Sequence, residues 1–162
     1  MKRKSLIVAF LIVFIDQLVK LSIDNSFLLG ESNIIIKGFF NITKVYNYGA
    51  SWSMFSGMIN FLIVISLCSF IVLIYYQEFF KKNFRNVLAF GLIYGGLFGN
   101  LIDRLSRNHV IDYFDFKIFN YNFPVFNIAD IALVVGFILL LIAVMKGEDK
   151  HGNKSRTTKH KA

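Results

Sequence analysis

Four aspartates fall within the stretch 99–130, GNLIDRLSRNHVIDYFDFKIFNYNFPVFNIAD: Asp103, Asp112, Asp115 and Asp130. Two asparagines beside apolar residues, Asn100 and Asn127, and the chain's single proline, Pro124, lie in the same stretch. Strongly apolar runs flank it on both sides. Carboxylates at the edge of hydrocarbon are costly, and such groups usually mark function. Two carboxylates brought together cannot both ionise cheaply, so they share a proton and divide acid and base roles. Such a pair could activate water against an amide. No sequence rule selects which of the four form it.

The individual candidates carry competing readings. Asn127 and Asp130 are three apart and share a helix face. The apolar neighbours of Asp130 favour a protonated carboxyl suited to general acid catalysis. A place in the first turn of a helix favours the ionised form instead. Asp16 and Lys20 are four apart and share a face, which reads as an intrahelical pair near mid-span, with contact to another helix also open. Gly91, Gly95 and Gly99 form a small-xxx-small stripe for close helix approach. Beside it Gly96, Asn100 and Asp103 make a polar stripe, with Asp103 tied to Arg104 or Lys20. His109 could act as a base or ligand, but no second His or Cys is near enough for a metal set. His151 and His160 lie at the C-terminal end. No Ser-centred motif, phosphate-binding Gly loop or nucleic-acid module is present.

The elements holding these residues follow from composition. Of 162 residues 56% are apolar and 19 are Phe, and the mean hydropathy is +0.57. This exceeds what a soluble surface allows, so the fold class is an α-helical integral membrane protein. Four spans are predicted at about 6–23, 59–76, 87–102 and 128–145. The first, Leu6–Ile23, is about 27 Å of helix, close to a hydrocarbon core. It has no small-x-small cleavage site and reads as an uncleaved helix. The loop 24–58 alternates at Ile34, Ile36 and Phe39–Thr43 and carries Gly30, Gly38 and Gly49, which predicts short strands and turns: a small extracytoplasmic β-containing region. Residues 1–146 form one membrane domain, and 147–162 read as a basic, disordered tail. Cys68 is the only cysteine, so no internal disulfide forms.

The net charge is +8. Lys and Arg number three at the N-terminus, three in loop 77–86 and six from Lys146 onward, against five in the two long loops. The positive-inside rule then makes both termini cytoplasmic, with 24–58 and 103–127 outside. Basic residues facing anionic lipid explain the charge better than nucleic acid does. Asp112 and Asp130 come out at the same depth.

DQLVK at 16–20, NYGASWS at 47–53, GNLIDR at 99–104, VIDYFD at 110–115 and FPVFNIAD at 123–130 together resemble the lipoprotein signal peptidases, the type II signal peptidases of bacteria. Order, spacing and layout agree over about residues 6–145. The resemblance implies an aspartyl endopeptidase of the cytoplasmic membrane, working as a monomer without metal or cofactor. It would cut prolipoproteins just before the diacylglyceryl-modified Cys. By position the dyad is Asp112 and Asp130. Asn47, Gly49, Asn100, Arg104 and Asn127 match positions that line the site or hold substrate, and Asp16, Lys20 and Asp103 match supporting ones. Loop 24–58 would form a sheet-like cradle and surface helix over the dyad. Tyr48–Gly49–Ala50–Ser51 departs from the family's common Thr-Gly-Ala-Ala, and Asp115 is matched in some members only. Two rivals stand beside this reading. One is a small proton-coupled transporter or channel using Asp16, Asp103 and Asp130 as a relay. The other is an assembly factor using the Gly stripe, for which Asp112 would be dispensable.

Overall fold

The computed structural model describes residues 1–50, 54–119 and 121–149. Four long helices and two pairs of short strands follow one another along the chain: α1 (Lys2–Ser26), β1 (Ser32–Ile36), β2 (Phe40–Asn47), α2 (Ile59–Tyr76), α3 (Phe84–Arg107), β3 (Val110–Ile118), β4 (Tyr121–Asn122) and α4 (Ile128–Met145). A 3₁₀ turn, Gln77–Phe79, follows α2. All four helical segments are long and apolar enough to cross a membrane. The fold is therefore a helical membrane protein with a small antiparallel sheet.

The third helix is the centre of the bundle. Its most apolar window is 67% buried, against 22%, 11% and 22% for the other three. Lipid solvates the remaining faces, so exposed Leu, Ile and Phe on α1, α2 and α4 cost nothing in a bilayer. The small-residue stripe explains how α3 can be central. A Cβ on Gly91 or Gly95 would lie 2.5 and 2.6 Å from the Cβ atoms of Val8 and Ile12 on α1. On the neighbouring face a Cβ on Gly96 would collide with the Ala129 carbonyl of α4. Gly136 of α4 returns the contact, where a Cβ would lie 2.7 Å from Ile93. Away from the sheet, Gln77 donates to the Ser5 hydroxyl (2.7 Å) and accepts from Tyr94 (3.3 Å), satisfying three buried polar groups.

The sheet has the order β1-β2-β3-β4. The predicted strands of the first loop are present, and the second long loop supplies their partner. β2 and β3 pair antiparallel, with Val45 opposite Asp112 and Asn47 opposite Val110. A register shift between Ile42 and Val45 interrupts the ladder. The Lys44 ammonium pins this strand to α1, donating to the Asp24 and Phe27 carbonyls (2.9 and 3.0 Å) and pairing with the Asp24 carboxylate (2.8 Å). A cation on the last carbonyls of a helix also suits its dipole.

Two boundaries differ from the sequence reading. Asp103 and Arg104 are not in a loop: α3 runs on to Arg107 and ends where Asn108 turns left-handed at φ 59°. Asn is one of the few residues that tolerates this conformation, and Arg104 and Arg107 occupy the last turn, where cations are favoured. At the other end, Gly147–Asp149 are ordered, not part of a disordered tail. Glu148 pairs with Arg85 and accepts from Asn83 and Asn86 (2.8 and 3.0 Å), while Lys81 donates its backbone N–H to the Glu148 carbonyl. The rest of the expected tail lies outside the described residues, as do Ser51 and part of the segment expected to form a surface helix. Residues 54–57 of that segment are turns.

Candidate active site

The carboxylates sort into two buried groups at the sheet end of the bundle. In the first, Lys20 sits between Asp16 and Asp103 at 2.9 Å from each, and all three side chains are completely buried. Asp103 also pairs with Arg107 (2.6 Å) and accepts from Gln17 (3.1 Å) and the Ile111 N–H (3.3 Å). Asp16 accepts from the Ala129 N–H (3.0 Å), binding α1 to the first turn of α4. Both open readings of Asp16 thus hold at once, the intrahelical pair and the contact with another helix. Of the two cations offered for Asp103, the structure uses Lys20 and adds Arg107.

Asp112 and Asp130 form the second group. Alternation places Asp112 on the bundle-facing side of β3, where it is 2% exposed. Asp130 lies in the first turn of α4, the third residue after the N-cap Asn127. That spacing builds a reciprocal cap: the Asn127 side chain accepts from the Asp130 N–H (3.0 Å), and the Asp130 carboxylate accepts from the Asn127 N–H (3.1 Å). The local motif that starts the helix therefore also fixes the carboxylate. With its oxygen committed to the cap, Asn127 turns its Nδ2 outward, donating to Asp112 (2.6 Å) and to Asn100 Oδ1 (3.1 Å). One asparagine thereby bridges the two acids. Asn100 Nδ2 donates to Asp130 (2.7 Å) and Asn47 Nδ2 to Asp112 (2.9 Å). The Gly49 N–H orients Asn47 by donating to its Oδ1 (2.9 Å).

Arg104 closes this side. Its guanidinium donates to the Gly49 carbonyl (2.9 Å), tying the loop after β2 to α3. A cavity of about 490 Å³ opens beside the group, lined by Asn47, Asn100, Arg104, Asp112 and Asp130 on its polar side. Phe123, Val125, Phe126, Ile131, Val134 and Val135 make its apolar wall. Burial, and next the charge of Asp130, push the Asp112 carboxyl up to about 7, and the hydrogen bonds from Asn47 and Asn127 only partly oppose them. A mostly apolar cleft with two coupled carboxyls and several neutral donors can accept an extended apolar chain and move protons at one amide.

The remaining candidates lie elsewhere. Asp115 points toward β2, accepting from Thr43 (2.8 Å) and Asn41 (3.4 Å), and does not line the cavity. His109 stacks on Tyr46 with ring centroids 3.8 Å apart, and Tyr48 packs on it from 5.6 Å. Sequence reasoning gave no role to Gln17, to Tyr113 or to Phe123, Val125 and Phe126 of the wall. Gln17 directly follows Asp16, and a polar residue in a span beside a buried acid was the available signal. Tyr113, whose hydroxyl accepts from the Ile128 N–H (3.3 Å), gave none.

Known proteins resemble this chain over most of its length. A family model for signal peptidase (SPase) II matches residues 8–146. A lipoprotein signal peptidase of Staphylococcus haemolyticus is 41% identical over 143 residues, covering 88% of this chain and 90% of that protein. One from Staphylococcus aureus is 37% identical over 158 residues, covering 96% and 94%. A bacterial membrane enzyme solved by the in meso method at 2.3 Å superposes with a TM-score of 0.80 at 39% identity, covering 88% of this chain and 87% of the other. A second such enzyme, at 1.9 Å, gives 0.77 at the same identity, with 88% and 92% covered. Four membrane helices, a cleft that gathers two carboxyls, and these matches over nearly the whole chain place it among the bacterial membrane proteases of the signal peptidase II family.

Proposed function

We propose that the chain is an aspartyl endopeptidase that removes signal peptides from diacylglyceryl-modified prolipoproteins, cutting just before the lipidated Cys. The observation that carries this reading is the bridging of Asp112 and Asp130 by Asn127 on the wall of one apolar cleft. The pair holds one proton. The ionised carboxylate takes a proton from water as it attacks the scissile carbonyl, and the protonated partner gives its own to the leaving amine. Arg104 and the asparagine amides are placed to support the developing oxyanion and the substrate backbone. No metal or cofactor enters the scheme.

Localisation follows from the same chemistry. The charge distribution supports cytoplasmic termini, with the sheet and cleft at the outer face of the membrane. A substrate anchored by acyl chains and an apolar signal helix is confined to that interface, and water reaches it there. The apolar wall of Ile131, Val134 and Val135 lies on α4 below Asp130, on the side where a lipid chain or signal helix would run. A transport relay asks for carboxylates spread through the membrane depth. Asp16 and Asp103 instead share Lys20, at the same end of the bundle as the dyad.

The test is cleavage of a diacylglyceryl-modified precursor by purified protein in detergent, beside Asp112→Asn and Asp130→Asn. Cleavage by wild type that survives a chelator, and its loss in both folded variants, is the expected result. Normal processing by either variant would overturn the dyad.

A further inference from the structure

Three asparagine amides aim their NH₂ groups at the two carboxyls, and each needs something to hold that orientation. A rotated amide would present its oxygen to a carboxylate and lose the bond. Asn47 is held by a backbone donor, the Gly49 N–H, and Asn127 by another, the Asp130 N–H. Among the described residues no backbone N–H donates to the Asn100 Oδ1 in this way. Its Oδ1 accepts from Lys20 Nζ at 3.1 Å and from Asn127 Nδ2 at 3.1 Å, and the second of these also serves Asp112 at the shorter 2.6 Å.

Lys20 is suited to this task. Between Asp16 and Asp103 it is an ammonium, which donates three hydrogen bonds and accepts none. All three are used: two carboxylates at 2.9 Å and Asn100 Oδ1. The carboxylates fix the ammonium, the ammonium fixes the amide oxygen, and the amide nitrogen is left facing Asp130 at 2.7 Å. The rotated form would set the Asn100 NH₂ against two donors, Lys20 and Asn127.

We infer that Lys20 is a positioning residue for the reaction, holding the Asn100 amide so that it donates to Asp130, beyond its part in neutralising Asp16 and Asp103. The inference rests on the aspartyl reading above. Lys20 makes no hydrogen bond to either acid of the dyad; its charge reaches both through space, and the part inferred here is the one that passes through Asn100.

The experiment is a double-mutant cycle on the full chain in detergent: wild type, Lys20→Met, Asn100→Ala and the double variant, with kcat and KM measured separately on a lipidated precursor. Misplacing a group at a reacting centre by about 1 Å costs on the order of 100-fold. Lys20→Met is expected to lower kcat by about that factor with KM little changed. In the Asn100→Ala background the same substitution is expected to lower kcat far less, because the amide it orients is gone and only the through-space effect of its charge remains. Losses that multiply, a change confined to KM, or an undiminished kcat in Lys20→Met would each overturn the inference. Should Lys20→Met fold poorly, the cycle is run on Asp16→Asn, in which Asp103 keeps Arg107 and Gln17 and no buried carboxylate is left unpaired. Asp112→Asn and Asp130→Asn run alongside. If they stay active, the peptidase mechanism fails; if they are inactive and the cycle multiplies, only the role of Lys20 fails.

Discussion

Two sets of buried carboxylates lie side by side in this molecule and are satisfied by opposite means. Asp16 and Asp103 meet cations directly, Lys20 from both and Arg107 on the second. Asp112 and Asp130 meet amides: Asn47, Asn100 and Asn127, all neutral. An ammonium at contact distance holds a carboxylate in place and turns it into scaffold. Neutral donors satisfy the oxygens yet leave the proton free to come and go. What separates the locked pair from the proposed dyad here is the partner's charge, since burial is common to both.

That contrast can be broken most sharply at the dyad. Asp112→Asn and Asp130→Asn should each reduce cleavage to the uncatalysed level while circular dichroism and detergent elution stay as in wild type. In the wild type, cleavage should fall as pH rises through about 7, where Asp112 gives up the shared proton. The limits of that profile belong to the pair and not to either acid. Because the Asp112 carboxyl is pushed up on folding, its protonated form favours the folded state. That contribution is present below the ordinary carboxylate range and lost as pH rises through about 7. Asp112→Asn lacks the ionisation, so its unfolding midpoint should gain on wild type between pH 5 and pH 8. A midpoint difference that does not vary with pH would mean that Asp112 is not held neutral by its surroundings.

At the lock the expected loss is in stability. Asp103→Ala leaves Lys20 short of one buried partner and should cost about 3–5 kcal/mol, read as a lower thermal midpoint. An unchanged midpoint would remove the distinction drawn above. Smaller again is Gly95→Ala, whose methyl would sit 2.6 Å from Ile12 Cβ and force α1 outward. Overpacking of this kind costs about 1–3 kcal/mol and should spread to Lys20 on the same helix. The smallest effect belongs to Tyr113→Phe. It removes the acceptor of the Ile128 N–H and should cost about 1 kcal/mol in unfolding experiments.

Much of this was legible in the sequence, and particular residues show where legibility stopped. Four apolar runs sufficed for the helices, because a span is a property of consecutive residues. Asp16 and Lys20 could be paired because four residues is one turn. The partnership of β2 with β3 could not be read, since Val45 and Asp112 belong to different loops and alternation carries no register between them. Asn127 and Asp130 could be placed on one face, but the reciprocal cap that points Asn127 at Asp112 needed coordinates. Glu148 was hidden by company: an acid inside a mostly basic tail looks like solvent-exposed composition until Arg85, Asn83 and Asn86 are seen around it. Asp103 was assigned to a loop because hydropathy ends at Ile102, whereas the helix is ended by Asn108.

The place of Asp130 in the first turn of α4 has a consequence for the timing of biogenesis. Asn47, Asn100 and Asp112 all precede it in the chain, and the apolar wall of the cleft is completed by Val134 and Val135 on the same final helix. A nascent chain that has inserted three helices and paired its sheet strands still lacks one acid, the cap that aims Asn127, and the part of the wall formed by Ile131, Val134 and Val135. With Asp112 and Asp130 as the proposed dyad, proteolytic competence arrives in one step, with the last span, and every earlier stage of insertion is silent toward the membrane proteins around it.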